Sequence, residues 1–528
     1  MDHFDVAVVG SGFAGSLMAV IAQRLGLRVA LLERGRHPRI VIGESSTPLS
    51  NLLLEELTDR YSLPSIRSLS KWGTWMRAHP ELACGLKRGF SFFHHSTGNA
   101  RIARSDQLLV TASPHDDIAD THWYRADFDA FMVGEAQQAG VEYLDEVALS
   151  AAIEGEDEMR LQALQRGRPL EIAARFVVDA TGPRGFLHQA LQLRERTLPY
   201  MPATSALYSH FSGVRRLQQR AGIVLDEVPP YPIDDAAVHH VFDGGWIWAL
   251  QFSNGLASAG IAATHRIARE LRLAEGEQAW WRLLQRFPVI RDQFAEAAPV
   301  QPFRHIPQLS FQSARIAGRN WALLPSAAGF VDPLLSTGFP LTLLGVMRLA
   351  ENFEHNWGTG RFTTNLEHYA AQTRAELLAT ARLVGALYAN LDNCEVFSAL
   401  SLLYFAAASF AETARRLQKP GLAPSFLMHD HPYFGPQCAR ILERARTARS
   451  NADCEALIED VFQIIEPIDV AGLTNRARLG WYPVDAQDLL AAAHKVHATH
   501  NEILQMLKRC GFSTVTSSQT QTESDEPR

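Results

Sequence analysis

At 528 residues the chain is too long for one ordinary hydrophobic core, so two or three packed units are expected. With 47% hydrophobic and 20% charged residues it has the composition of a soluble globular enzyme, and a formal net charge of -7 without any basic block argues against nucleic acid as a partner. The five cysteines (Cys84, Cys394, Cys438, Cys454, Cys510) are scattered, with no C-x-x-C pair, which suits a reducing, cytoplasmic setting and offers neither a metal site nor a disulfide framework.

The first 48 residues are the most informative. An apolar run, Val6-Ala7-Val8-Val9, ends in Gly10, Gly12 and Gly15 at G-x-G-x-x-G spacing. A helix-like segment follows, then a second apolar run ending in Glu33, 23 positions after Gly10. This is the order of parts in a dinucleotide-binding βαβ unit. Gly10 permits the tight turn, Gly12 lets backbone approach a pyrophosphate at the helix N-terminus, and Gly15 lets the helix pack on the strands. Phe13 and Ala14 begin that helix. Glu33 is expected to accept hydrogen bonds from a ribose, which favours FAD or NAD over NADP. No signal peptide is expected, since the fold begins near residue 4.

Residues 50–80 read as helical, with leucines at positions 52, 53 and 57, before a stretch holding Trp72 and Trp75. Just ahead of them, Gly43-Glu44-Ser45-Ser46-Thr47-Pro48 can line a cofactor cleft or form a polar turn capping a helix. Ala83 to Phe92 brings Lys87, between glycines, to an aromatic strand. A buried ammonium is one reading, a surface Lys-Arg turn the other. A helix is expected over 128–140, with strands at 140–143, 147–154, 158–165 and 171–178. The last runs into Asp179-Ala180-Thr181-Gly182, which returns the chain to the cofactor sheet. Further strands are expected at 237–242, 246–252 and 257–263. Trp246 and Trp248, two apart on a strand, share a face that can stack on an aromatic ring or simply pack in the core. In Leu324 to Gly338, small residues allow close approach to a flat cofactor. Ser336-Thr337-Gly338 ahead of a helix exposes amides that can hold an anion or serve only as a cap. From 350 to 512 the pattern is helical. Its most apolar run, Ala399–Ala411, is shorter than the ~20 residues of a spanning helix, so it reads as a core helix without stable membrane insertion. The polar tail, 513–528, reads as disordered. The chain shows no internal repeat.

Taken together and in this order, the motifs resemble the flavin-dependent halogenases of the tryptophan halogenase superfamily. The branch acting on phenols and other electron-rich rings is the nearer one. The motifs are Gly10 to Gly15, Gly43 to Pro48, Lys87 in Gly-Leu-Lys-Arg-Gly-Phe-Ser-Phe, Trp123 to Asp129, Asp179 to Gly182, the Trp246/Trp248 pair, and Phe330 to Gly338; the resemblance covers about residues 4–350. It implies an α/β fold: an FAD-binding Rossmann-like domain over 1–350, assembled from pieces near 1–110, 170–190 and 315–350. A substrate-facing β-sheet is inserted at about 190–310, and a helical C-terminal region spans 351–512. It also implies FADH2 from a separate flavin reductase, chloride or bromide as halide, and hypohalous acid delivered to a catalytic lysine, Lys87. The halide would sit at Thr337 and Gly338. The substrate would be a small aromatic secondary metabolite, free or tethered to a carrier protein, bound at Trp246 and Trp248. Cofactor contacts would also come from Glu44, Ser46, Thr47, Arg125, Asp179, Gly182 and Asp332. Three positions depart from the family pattern. Leu250-Gln251 replaces Ile-Pro after the tryptophans, Leu335 replaces the Glu of the tryptophan branch, and Pro325-Ser326 replaces Gly-Asp. The missing Glu suits a phenol, which supplies its own activating oxygen. A flavin hydroxylase on the same scaffold and a non-catalytic flavin-binding accessory protein are the alternative readings.

Overall fold

Val6 to Val9 are buried on both faces, as the central strand of a parallel sheet covered by helices must be. The computed structural model describes residues 2–219 and 222–512; the tail beyond lies outside the described residues. β1 (Asp2–Val9) pairs in parallel with β2 (Val29–Leu32) on one side and with the strand Arg168–Asp179 on the other. Seven described strands make this sheet. Arg168–Asp179 is shared: its first half pairs antiparallel with Met159–Gln165, and its end pairs in parallel with Trp321–Leu323. The hairpin strands between 142 and 165 therefore extend the cofactor sheet, closing a gap in the pieces expected from sequence.

From β1 the chain passes through α1 (Phe13–Arg24) back into the sheet as β2, then leaves it for α2 (Pro48–Arg60) and four short strands. These are β3 (Cys84–Lys87), β4 (Gly89–His94), β5 (Gln107–Thr111) and β6 (Asp120–Trp123). β3 and β6 form a separate antiparallel ribbon. β4 and β5, expected in the cofactor unit, instead join a second sheet of nine described strands. The reason is local. Arg88 breaks the strand run, its backbone N–H donating to Asp235 O at 2.6 Å. β4 then lies parallel to Ala237–Phe242, next to Gly245–Gln251 and Leu256–Thr264. Lys87 is thus the last residue of the ribbon, at the junction of the two sheets.

The C-terminal region is helical except for Trp481–Tyr482, which adds to the edge of the second sheet beside β5. Helix Gly338–Asn356 packs on α1 and α2, and Cys394–Arg416 packs on α2. By length and composition alone Cys394–Arg416 is apolar enough to cross a membrane, with mean hydropathy 1.6. Its apolar side chains from Val396 to Ala411 are largely buried in the core against these elements.

Candidate active site

The turn between β1 and α1 is built on close backbone approach. Gly10 has φ +96°, a conformation that favours glycine. A Cβ on Gly15 would stand 1.9 Å from Gly10 O, so α1 can lie on the sheet only with glycine there. Gly12 caps α1, and no side chain satisfies the first-turn N–H groups. Those groups open on a cavity of about 520 Å³ that runs between the two sheets. A Cβ on Gly12 would meet Arg125 Nη2 at 3.3 Å and Arg39 Nη2 at 3.7 Å. Two guanidinium groups beside an uncapped helix N-terminus fit a pyrophosphate.

Of the residues expected at the cofactor, Gly12, Phe13, Ala14, Gly43, Glu44, Arg125, Gly182, Asp332 and Gly338 line this cavity. Arg125 forms a two-pronged pair with Asp129, at 2.8 and 2.9 Å, and donates to Gly43 O at 2.9 Å. Glu44 accepts from or pairs with His210 Nε2 at 2.7 Å, both groups buried. Six expected residues do not line it: Gly10 and Gly15, which shape the turn itself, and Glu33, Asp179, Ser46 and Thr47. Glu33 stands behind the turn, accepting from Ser11 N and Oγ, Gly35 N and Arg39 Nη2. Burial alone would raise its pKa, but Arg39 and these donors hold it below the usual value. Asp179 organises the next turn, accepting from Thr181 and from Leu187 N at 2.6 Å. Ser46 is stitched to Thr121, and Thr47 caps α2 by accepting from Ser50 N at 3.2 Å. Short polar side chains near a turn serve the backbone as readily as a ligand, which is why sequence reasoning assigned them to the cofactor.

Trp246 and Trp248, expected at a substrate ring, line the same large cavity. They share a face as strand alternation requires, and that face opens on this cavity. Trp246 Nε1 is 3.3 Å from Asp332 Oδ1 and 3.1 Å from Tyr388 Oη, and Tyr388 Oη donates to Asp332 Oδ2 at 2.8 Å. Burial pushes the Asp332 carboxyl up to about 7, with the Leu334, Tyr388 and Trp246 donors working against the rise. Its folded pKa thus exceeds the unfolded value of 3.8, so its contribution to stability is complete below about pH 4 and is lost as pH rises through about 7. Replacing it with asparagine removes that term. In thermal melts of the flavin-free protein, the Tm of Asp332→Asn minus that of wild type is expected to climb between pH 5 and 8. A constant difference would mean that Asp332 is ionised throughout.

Leu335 and Ser336, at φ 64° and 54°, hold the backbone in the left-handed region just before helix Gly338–Asn356. For leucine this is a strained conformation that surrounding structure must impose. Thr337 is the N-cap without a side-chain cap bond, and both Thr337 and Gly338 line the large cavity.

Lys87 is fully buried. Its Nζ donates to Ser45 Oγ at 2.9 Å and to Ser46 O, and lies 3.8 Å from the centroid of the Phe90 ring. Burial drives its pKa well below the ordinary lysine value, offset in part by Asp120, its partner across the β3–β6 ladder. Ser45 lines the large cavity. Phe90 and Asp120 line a second, apolar one of about 160 Å³, closed by Tyr404 and Phe405 of the C-terminal region and by Leu473, Met506 and Phe512. Lys87 therefore stands in the wall between two cavities.

A sequence model of the family described as tryptophan halogenase matches residues 89–395. The chain belongs to the tryptophan halogenase family. Its relatives include the monodechloroaminopyrrolnitrin halogenase PrnC of Pseudomonas fluorescens, 26% identical over 485 residues, covering 89% of this chain and 83% of that protein. Tetracycline 7-halogenase of Kitasatospora aureofaciens is 28% identical over 353 residues, 64% of this chain and 61% of its own length. In fold, the chain is similar to halogenase PltM solved with phloroglucinol and FAD: TM-score 0.81 at 23% identity, over 90% of this chain and 99% of that one. This halogenase is accordingly an oxidoreductase with FAD as cofactor and halide as co-substrate, and the uncapped turn at Gly12 with its two arginines fits the FAD pyrophosphate. Sequence reasoning missed Arg39, His210, Tyr388, Asp120 and Asn51. None lies in a recognisable spacing; Arg39, Asp120 and Asn51 reach a cavity, and His210 and Tyr388 its lining residues, only through tertiary contacts.

Proposed function

We propose that this halogenase transfers chlorine or bromine to an electron-rich aromatic ring, a phenol or related hydroxylated ring, held in the second cavity and reached through Lys87. The position of Lys87, with a hydrogen bond toward one cavity and an aromatic contact toward the other, supports this reading most directly. FAD, reduced by a separate flavin reductase, supplies with oxygen the oxidising power that turns halide into hypohalous acid. The chain's own residues do the rest. Gly12, Arg39 and Arg125 bind the cofactor's phosphates. Thr337 and Gly338 offer backbone N–H groups to the halide. The buried Trp246–Asp332–Tyr388 cluster keeps the floor of the cofactor cavity rigid. Lys87 receives hypohalous acid, either donating a hydrogen bond to it as ammonium or, as the free amine, exchanging N–H for N–halogen with release of water. Leu335 stands where the tryptophan branch has its Glu, which agrees with a ring that carries its own activating oxygen.

The test is turnover with FAD, a flavin reductase, NADH, oxygen and chloride or bromide over a panel of phenols, read by mass spectrometry. A halogen isotope pattern is expected; halide-independent oxygen addition would make the enzyme a hydroxylase instead. The halide site has its own test. A Cβ on Gly338 meets nothing within 4 Å, so Gly338→Ala is expected to fold normally and even gain up to about 1 kcal/mol from helix propensity. Because the methyl enters the space assigned to the halide, the apparent KM for bromide is expected to rise about tenfold or more, near 1.4 kcal/mol. An unchanged bromide KM would move the halide elsewhere.

A further inference from the structure

The second cavity carries two acceptors that no described residue satisfies. Asp120 is buried at the start of β6, with Oδ1 accepting from Asn51 Nδ2 at 2.7 Å. Asp120 Oδ2 and Asn51 Oδ1 are both buried and without a hydrogen-bond partner. Both residues line the cavity, alongside Phe90, Tyr404 and Phe405. Lys87, opposite Asp120 on the ladder, directs its hydrogen bonds to Ser45 and Ser46 instead. A buried acceptor left unpaired is costly, so this wall is complementary to a ligand that brings donors. The aromatic side chains beside it fit the faces and edges of a ring.

We propose that Asp120, assisted by Asn51, accepts hydrogen bonds from hydroxyl or amino groups on the substrate ring, so that this pair selects a donor-bearing ring and fixes which of its carbons faces Lys87. The assignment rests on the reading of the second cavity as the ring site. It makes Asp120 a specificity-determining residue. The carboxylate holds the ring by its O–H or N–H, while Lys87, opposite it on the ladder, addresses the carbon to be halogenated. A ring of the same size without donors would leave both acceptors unpaired and be rejected for that reason.

The probes are phloroglucinol and 1,3,5-trimethylbenzene, in which methyl groups of like size replace the hydroxyls, with binding to the FAD-loaded protein measured by calorimetry. Wild type is expected to bind phloroglucinol at least tenfold more tightly. Asp120→Asn is expected to weaken phloroglucinol about tenfold or more while changing trimethylbenzene by less than about threefold, as loss of a carboxyl acceptor for the ring's donors predicts. Equal weakening of both ligands would show that Asp120 only shapes the cavity or holds Lys87, and would overturn the assignment. A wild type that does not prefer the hydroxylated ring would overturn it without any variant, so the result does not depend on Asp120→Asn folding. If the preference holds but no halogenated product forms in turnover, the halogenation reading fails and the ring-recognition site stands.

Discussion

Replacing Lys87 with methionine is expected to lower halogenated product by about 10²–10⁴-fold, the range for loss of a positioned proton-transfer or hydrogen-bonding group. The flavin dissociation constant should not change. The two cavities predict this separation. Lys87 Nζ touches Ser45, Ser46 and Phe90, while the phosphate-binding turn at Gly12 is built from α1, Arg39 and Arg125. Product is read by mass spectrometry and flavin binding by fluorescence titration. Methionine fills nearly the same volume, so a collapsed cavity does not explain the loss. Full activity in the variant would remove Lys87 from the chemistry.

The charge of Lys87 then separates its two possible roles. Burial lowers its pKa toward the range in which the enzyme works, with Asp120 opposing the shift. If the ammonium donates to hypohalous acid, the rate falls as pH rises through that lowered pKa. If the free amine takes up halogen, the rate rises over the same interval. A single-turnover pH profile with hypohalous acid supplied directly reads the sign.

The second large effect is at Gly15. A Cβ there would lie 1.9 Å from Gly10 O and 3.0 Å from Ala180 Cβ, in contact with backbone that cannot swing aside. Gly15→Ala is therefore expected to push α1 off the sheet, costing about 3 kcal/mol, and to weaken FAD at least about tenfold by misdirecting the helix N-terminus. Gly134→Ala is the control. Gly134 lies in helix Arg125–Gln138, and an added Cβ meets nothing within 4 Å. There alanine should be neutral or stabilising by up to about 1 kcal/mol. Thermal melts and flavin titration of both variants check the pair. A well-folded, flavin-tight Gly15→Ala would mean the turn relaxes at little cost.

Some of this was legible in the chain itself. The glycines at 10, 12 and 15 announce the cofactor turn because their spacing expresses a backbone constraint, and such constraints are local. The strands at 237–242 and 246–252 were readable for the same reason, since alternation is a property of consecutive residues. Thr47-Pro48 offered a cap or a cofactor contact, and in the fold it forms a cap that also lines the second cavity. By contrast, Trp246 and Trp248 could be placed on one face but not on one side of the molecule, because the direction of that face depends on which sheet packs behind it.

The sequence by itself determined the dinucleotide turn, the aromatic strand that follows Lys87 and the small-residue approach to helix Gly338–Asn356, all of them patterns held within a dozen neighbouring residues. Tertiary structure alone decided that Lys87 is buried rather than at a surface turn and that Asp120 stands opposite it. It also decided that Asn51 of α2 reaches the same cavity, and that residues beyond 400 close that cavity. Burial, strand partnership and cavity walls arise from contacts between segments tens to hundreds of positions apart, and no local pattern encodes which distant segment will arrive.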